Sequence, residues 1–433
     1  MIRLLTTITI GLFIYGCSSP GPKKYSLEEI ETESAKANAF FEKTFNEAMD
    51  RSPVYQSYLG IKKDYDKWDN LSEANTEKEL EITKKELQFL LDSINPDALD
   101  LQGRISYKLF KEDAENDIAD HKWRHHNYPI NQMFGQHTQV ASFLINIHQV
   151  SDSSDAAAYV SRLQGVKVIF DQLIENLKIR EEKNIMPPKF VFPRSIEASR
   201  NIISGAPFDG RAPSTLQADF YRKVDAIDVS KDVKEAFKSA ADDALVNIVK
   251  PAYEGLITFL EGQESRATNE DGIWKLPEGD EYYNVALKRT TTTDMTAEEI
   301  HEKGLSEVAR IHDEMREIMK TVEFEGELTD FFTYLKNDEQ FFYPNTDEGK
   351  QAYVDSATAI IDNMRTLLDE LFITKPKAEM VVKRVEAFRE NSAGKAFYEP
   401  PAPDGSRPGT YYANLANSED MPKYDMEALA YHE

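Results

Sequence analysis

The residues best placed to do chemistry are His432-Glu433, which follow the uncharged run Ala428-Leu429-Ala430-Tyr431. A histidine followed by a glutamate is the first half of H-E-x-x-H, in which two imidazoles one helical turn apart grip a zinc ion. The glutamate beside the first histidine then activates the metal-bound water. The second histidine would stand four residues after His432, and the sequence reads only to Glu433. Taken alone the dipeptide is common by chance and reads as a polar helix end.

The other candidates are poorer. In His121-Lys122-Trp123-Arg124-His125-His126 two histidines are spaced i, i+4, but Lys122 and Arg124 intervene and no carboxylate accompanies them. Asn127-Tyr128-Pro129 ends any helix there, so an exposed helix end is expected. His301-Glu302 also mimics the zinc pattern, with Leu305 where the second ligand belongs. His301 and His312 share roughly one helix face, where packing or plain surface is the expected role. With 76 Asp and Glu in all, no pair stands out by spacing as a glycosidase couple. Phosphate-cradling loops, dinucleotide fingerprints and a G-x-S-x-G elbow are missing from the sequence.

Several elements must position the His-Glu pair. A Pro/Gly-rich loop runs through Pro400, Pro401, Pro403, Asp404-Gly405 and Pro408-Gly409. Thr410–Leu415 has β-favouring residues and predicts an edge strand flanking the site, where extended substrate could add. A helix is expected next, with Asp420 as N-cap, Pro422 in its first turn, and Tyr424, Ala428 and Tyr431 along one face. Met380–Val385 reads as a second strand, a partner for the first.

Upstream, helices dominate. Ser26/Glu29, Thr76/Glu79 and Thr296/Glu299 have capping-box spacing. Apolar stripes follow at Ile30, Ala37, Phe41, Phe45 and Met49, and at Leu80, Leu87, Leu91 and Ile94. The clearest stripe is Tyr159, Leu163, Val166, Phe170, Leu173 and Leu177, a core face along one long helix. Another helix carries Tyr353, Ile360, Met364, Leu367 and Leu371. The fold class expected is mainly α, with a small β-sheet near the C-terminal end.

Four phrases occur in order in the last part of the sequence: Tyr398-Glu399-Pro400-Pro401, Asp404-Gly405-Ser406-Arg407-Pro408-Gly409, Tyr411-Tyr412-Ala413-Asn414, and Glu427-Ala428-Leu429-Ala430-Tyr431-His432-Glu433. Together they resemble the bacterial lipoprotein family catalogued as domain of unknown function 885. Gly272-Ile273-Trp274-Lys275-Leu276-Pro277 and the Thr296–Leu305 stretch fit the same family. The resemblance implies a gluzincin-like zinc metallopeptidase: a large helical body, a small sheet, and a helix reading HExxPGHH.

Carried onto this sequence, His432 becomes the first zinc ligand and Glu433 the general base. Tyr411, Tyr412 and Asn414 come to lie on a strand that pairs with a peptide substrate. Arg407 either binds a substrate carboxylate or is a loop arginine packed on Tyr398. The Pro-Gly-His-His half of the motif is not in the sequence. The expectation is therefore an incomplete catalytic domain, an inactive fragment that binds zinc poorly; a non-catalytic helical lipoprotein serving as a binding or scaffold module is the alternative. The organisation expected is a signal peptide over 1–16, a tether over 17–25, a helical region over 26–286, and the start of a catalytic region over 287–433.

Met1 to Gly16 carry one positive charge and a short apolar run, as in a signal peptide. Ile14-Tyr15-Gly16-Cys17 resembles a bacterial lipobox, and Cys17 is the sole cysteine, so a lipid on Cys17 and attachment to a membrane in the cell envelope are expected. The formal charge is −25, one unit more negative without residues 1–16, whose only charged side chain is Arg3. Such a field repels phosphate backbones, so nucleic acid is not an expected partner.

Overall fold

The computed structural model describes residues 24–210, 212–391, 393–403 and 405–433. The signal segment, Cys17, most of the tether and Asp404 lie outside the described residues. The chain forms two compact units, one from the described residues up to Asn46 with Glu81–Ala119, the other from Glu47–Leu80 with Asp120–Glu433.

The helices in chain order are α1 (Leu27–Arg51), α2 (Pro53–Tyr58), α3 (Glu73–Ser93), α4 (Leu101–Asp120), α5 (Gln136–Ser142), α6 (Ser153–Glu182), α7 (Val191–Ile202) and α8 (Thr215–Ala226). There follow α9 (Lys231–Ala244), α10 (Lys250–Arg266), α11 (Gly279–Thr291), α12 (Ala297–Thr321), α13 (Leu328–Asn337) and α14 (Asp347–Leu371). Strands β1 (Met380–Arg384), β2 (Ala396–Glu399) and β3 (Gly409–Ala413) come next, then α15 (Met426–His432). A mainly helical protein with a small sheet near its C-terminal end is what the apolar periodicity predicts.

The smaller unit is cored by Ala37, Phe40, Leu90, Ile94, Leu99 and Tyr107. The Ser26/Glu29 box forms: Ser26 N donates to the Glu29 carboxylate at 2.7 Å, and Glu29 N to Ser26 Oγ at 3.2 Å. The buried face of α1 is rotated from the expected stripe, since Ser34, Ala37, Phe40 and Thr44 are buried while Phe45 is half exposed.

Two boxes in the larger unit fare differently. Thr296/Glu299 caps α12 in both directions. Thr76 does not cap α3: the helix starts at Glu73, Ser72 Oγ accepts from Asn75 N at 3.3 Å, and Thr76 turns its hydroxyl onto Ser72 O. A serine one turn earlier reached the free N–H groups first.

The larger unit is built on α6. Its Tyr159, Leu163, Val166, Phe170, Leu173 and Leu177 are each at most 3% exposed; α6 packs against α9 and α10, and Tyr159 stacks on Phe220 of α8. The Leu, Val and Phe side chains among them each contribute roughly 1.5–3 kcal/mol of burial. On α14 the buried face is rotated from the expected stripe: of that stripe only Tyr353 is buried, Ile360 and Met364 are half-buried and Leu367 and Leu371 exposed, while Ala357 and Ile361 complete the buried face.

The sheet has the order β1-β3-β2, with β1 parallel and β2 antiparallel to β3. The predicted pairing of the Met380 and Thr410 segments is present, with Val382 opposite Tyr411. The predicted edge position is corrected: β3 is the central strand, buried at all five residues. β1 and β2, the latter unpredicted by the sequence, take the two edges, so substrate cannot pair along β3. The last helix is also corrected. Asn417 caps a short turn at Ser418–Asp420, Lys423 N donates to Phe341 O at 2.7 Å, and α15 starts only at Met426. Its buried residues are Met426 and Ala430; Tyr424 and Ala428 face solvent.

Candidate functional site

Alternation along the strands gives the sheet two chemically different faces. Tyr411 and Ala413 lie on one, in a cluster with Tyr353, Ala357 and Ile361 of α14 and with Met426 and Ala430 of α15. The Tyr411 hydroxyl is 3.4 Å from that of Tyr353. Here α15 brings in the His432-Glu433 pair. Burial raises the Glu433 carboxyl above its ordinary range while His432 opposes the shift, and the charge of Glu433 reaches Tyr411. His432 is exposed, and Tyr431 accepts at its hydroxyl from Asn363 Nδ2 at 3.3 Å.

The other face carries Tyr412, stacked on Phe397 at 4.9 Å between centroids. The Arg389 guanidinium lies 4.9 Å from the Phe397 ring and 5.5 Å from that of Tyr412. Glu386 neutralises it, accepting from Arg389 Nε at 2.6 Å and from Asn146 Nδ2 at 2.5 Å. Glu399 shares a hydrogen bond with Tyr412, and burial holds its carboxyl above the usual range despite Arg407 and Arg389. Glu386 and Arg389 carry no signal in the sequence, and Glu399 enters there only within the phrase Tyr398-Glu399-Pro400-Pro401; Phe397-x-Glu399 beside Tyr412 is the period-2 signal that marks the face.

Arg407 is 7% exposed and donates to Pro400 O at 2.6 Å and Tyr58 O at 3.1 Å. Its guanidinium lies 5.9 Å from the Tyr58 ring, and its charge also reaches Tyr398. Asn414 lies one residue past β3, where its Nδ2 donates to Glu390 O at 2.7 Å and Ala393 O at 3.1 Å.

The His121–His126 stretch is corrected from an exposed helix end. α4 stops at Asp120, His121 turns into a single 3-10 turn, and its Nε2 meets the Glu77 carboxylate at 2.9 Å. His125 is 4% exposed, with Nε2 3.4 Å from Glu73. Arg124 joins Glu73 and Glu77 at 2.8 and 3.1 Å, so α3 supplies the carboxylates that the local sequence lacks. His301 lies exposed on α12, and the His312 ring is 6.3 Å from Phe332.

A zinc centre takes three or four protein donors. Among the described residues no three His, Cys, Asp or Glu side chains converge to hold a metal. His432 and Glu433 offer one imidazole and one carboxylate, which do not by themselves make that centre.

The chain matches the family described as bacterial protein of unknown function (DUF885) over residues 53–433. It belongs to the DUF885 family. No curated protein matches it. Among solved structures, it is similar to a protein from Colwellia psychrerythraea provisionally described as a lipoprotein. The TM-score is 0.81 at 20% identity, over 93% of this chain and 70% of that one. This DUF885 chain therefore shares the fold of that protein. Among its described residues no helix is long and apolar enough to cross a membrane.

Proposed function

We propose that this DUF885 chain carries the first half of a zinc-dependent peptidase site, held in the cell envelope by a lipid on Cys17. The observation that supports the reading is that His432-Glu433 closes α15, whose Met426 and Ala430 share a buried cluster with Tyr411 and Ala413 of the sheet. In this reading Glu433 takes the proton of the attacking water, and His432 is one donor to the metal. Zinc, when bound, polarises the scissile carbonyl and acidifies water. The remaining donors come from Pro-Gly-His-His in the pattern HExxPGHH. There the next histidines stand six and seven residues after the first, so Pro-Gly and not an unbroken helical turn sets their approach. The lipid anchor is supported by the lipobox-like Ile14-Tyr15-Gly16-Cys17 and by the description of the Colwellia protein.

The test uses a version of the chain continued through HExxPGHH. Glu433→Gln should lower zinc-dependent cleavage of a mixed peptide library by about a hundredfold or more while leaving zinc content unchanged. Full activity in that variant would assign the base elsewhere.

A further inference from the structure

The larger unit holds a groove that neither the His-Glu pair nor the sheet core accounts for. One lobe, about 470 Å³, is walled by Tyr58, Trp68, Phe143 and Phe397 and edged by Glu399 and Arg389. A second, about 500 Å³, runs past Arg124, His125 and Arg180. Leu71, Gln136 and Gln139 line both, so the lobes adjoin along α5. Each volume lies within the roughly 300–1,000 Å³ typical of small-ligand sites.

The aromatic wall is rigid before any ligand arrives. Trp68 Nε1 donates to Arg162 O at 2.8 Å, and the Arg162 guanidinium lies 4.6 Å from the Phe143 ring and 5.6 Å from that of Trp68. Arg162 is itself fully buried, donating to Lys67 O, Pro53 O and Ser57 Oγ. A fixed wall costs a ligand little ordering entropy.

Hydrogen-bonding capacity decides the ligand class. The nearby cations are already engaged: Arg389 with Glu386, Arg124 with Glu73, and Arg180 with the carbonyls of Asn127, Arg124 and Asn176. The side-chain amides of Gln136 and Gln139 make no hydrogen bond among the described residues. Ser142 Oγ in the first lobe and His125 Nδ1 by the second are buried without a partner among the described residues. Neutral donors and acceptors beside an aromatic cage suit amide groups flanking a bulky apolar side chain, not an isolated ion.

We propose that the groove along α5 binds peptides, taking an aromatic side chain among Tyr58, Trp68, Phe143 and Phe397 and flanking amides on Gln136, Gln139 and Ser142. The choice of a peptide rests on the peptidase reading, which this inference deepens by naming a substrate class. The test is binding, not turnover. Calorimetry on the 433-residue chain should show N-acetyl-Ala-Phe-Ala-amide binding about tenfold or more tightly than N-acetyl-Ala-Ala-Ala-amide. Gln139 is exposed on the groove rim, so Gln139→Trp should keep the circular dichroism spectrum and thermal transition while lowering affinity for the Phe peptide about tenfold or more. Ser142→Ala, which removes the unpartnered hydroxyl without adding bulk, should weaken both peptides about two- to fivefold. Equal affinity for the two peptides, no binding of either near 1 mM, or an unchanged affinity in both variants would overturn the proposal. If the Phe peptide binds as expected while the HExxPGHH version cleaves nothing, the groove stands and the peptidase reading falls.

Discussion

Arg407 gives its guanidinium to two main-chain carbonyls, those of Pro400 and Tyr58, and is almost excluded from solvent. It ties α2 to the loop before β3. Arg407→Met keeps much of the apolar stem but strands both carbonyls, and should destabilise the chain by about 2–4 kcal/mol in urea unfolding. A loss below about 0.5 kcal/mol would mean that the tie carries no load. The sequence allowed two readings of this residue because the partner that matters, Tyr58, is 349 positions away. The sequence misleads at His125 for a related reason: its local neighbours are basic, and only the fold brings Glu73 beside it.

Among the elements, α5 is set by the glycine that starts it. Gly135 has φ of 142° and ψ of 171°, a region open essentially to glycine alone. A Cβ there would stand 2.6 Å from Pro129 O and 2.8 Å from Ile130 Cα. Gly135→Ala should therefore cost about 3 kcal/mol or more and lower Phe-peptide affinity, since it displaces the helix that lines the groove. Gly210→Ala, at a φ of 76° with no atom within 4 Å of the added Cβ, should cost only about 1 kcal/mol. Equal losses in the two variants would remove the steric argument.

Elements whose information is local were legible in the sequence. The α6 stripe fixes its own buried face because one helix packs along its whole length. Strand pairing is not local: Met380–Arg384 and Gly409–Ala413 were both identifiable, yet which of them lies central depends on β2, whose four residues carry little signal of their own. α15 begins later than the sequence predicts, because Asp420 looks like a cap whereas the chain first closes a short turn under Asn417.

At the scale of the whole molecule, a strongly acidic helical protein of the DUF885 family presents a His-Glu pair beside one face of its sheet and an aromatic groove that includes residues of the other face. The fold was legible because helices advertise themselves by period; of the proposed site the sequence carries only the His-Glu pair. A single imidazole holds zinc weakly, because affinity falls steeply as ligands are removed. Zinc stoichiometry by calorimetry tests the central claim most directly, measured on this chain, on the version continued through HExxPGHH, and on His432→Ala in that version. The account predicts one tightly bound zinc in the continued version, its loss in His432→Ala, and weak binding by the 433-residue chain. One tight zinc in the 433-residue chain that survives His432→Ala would contradict it.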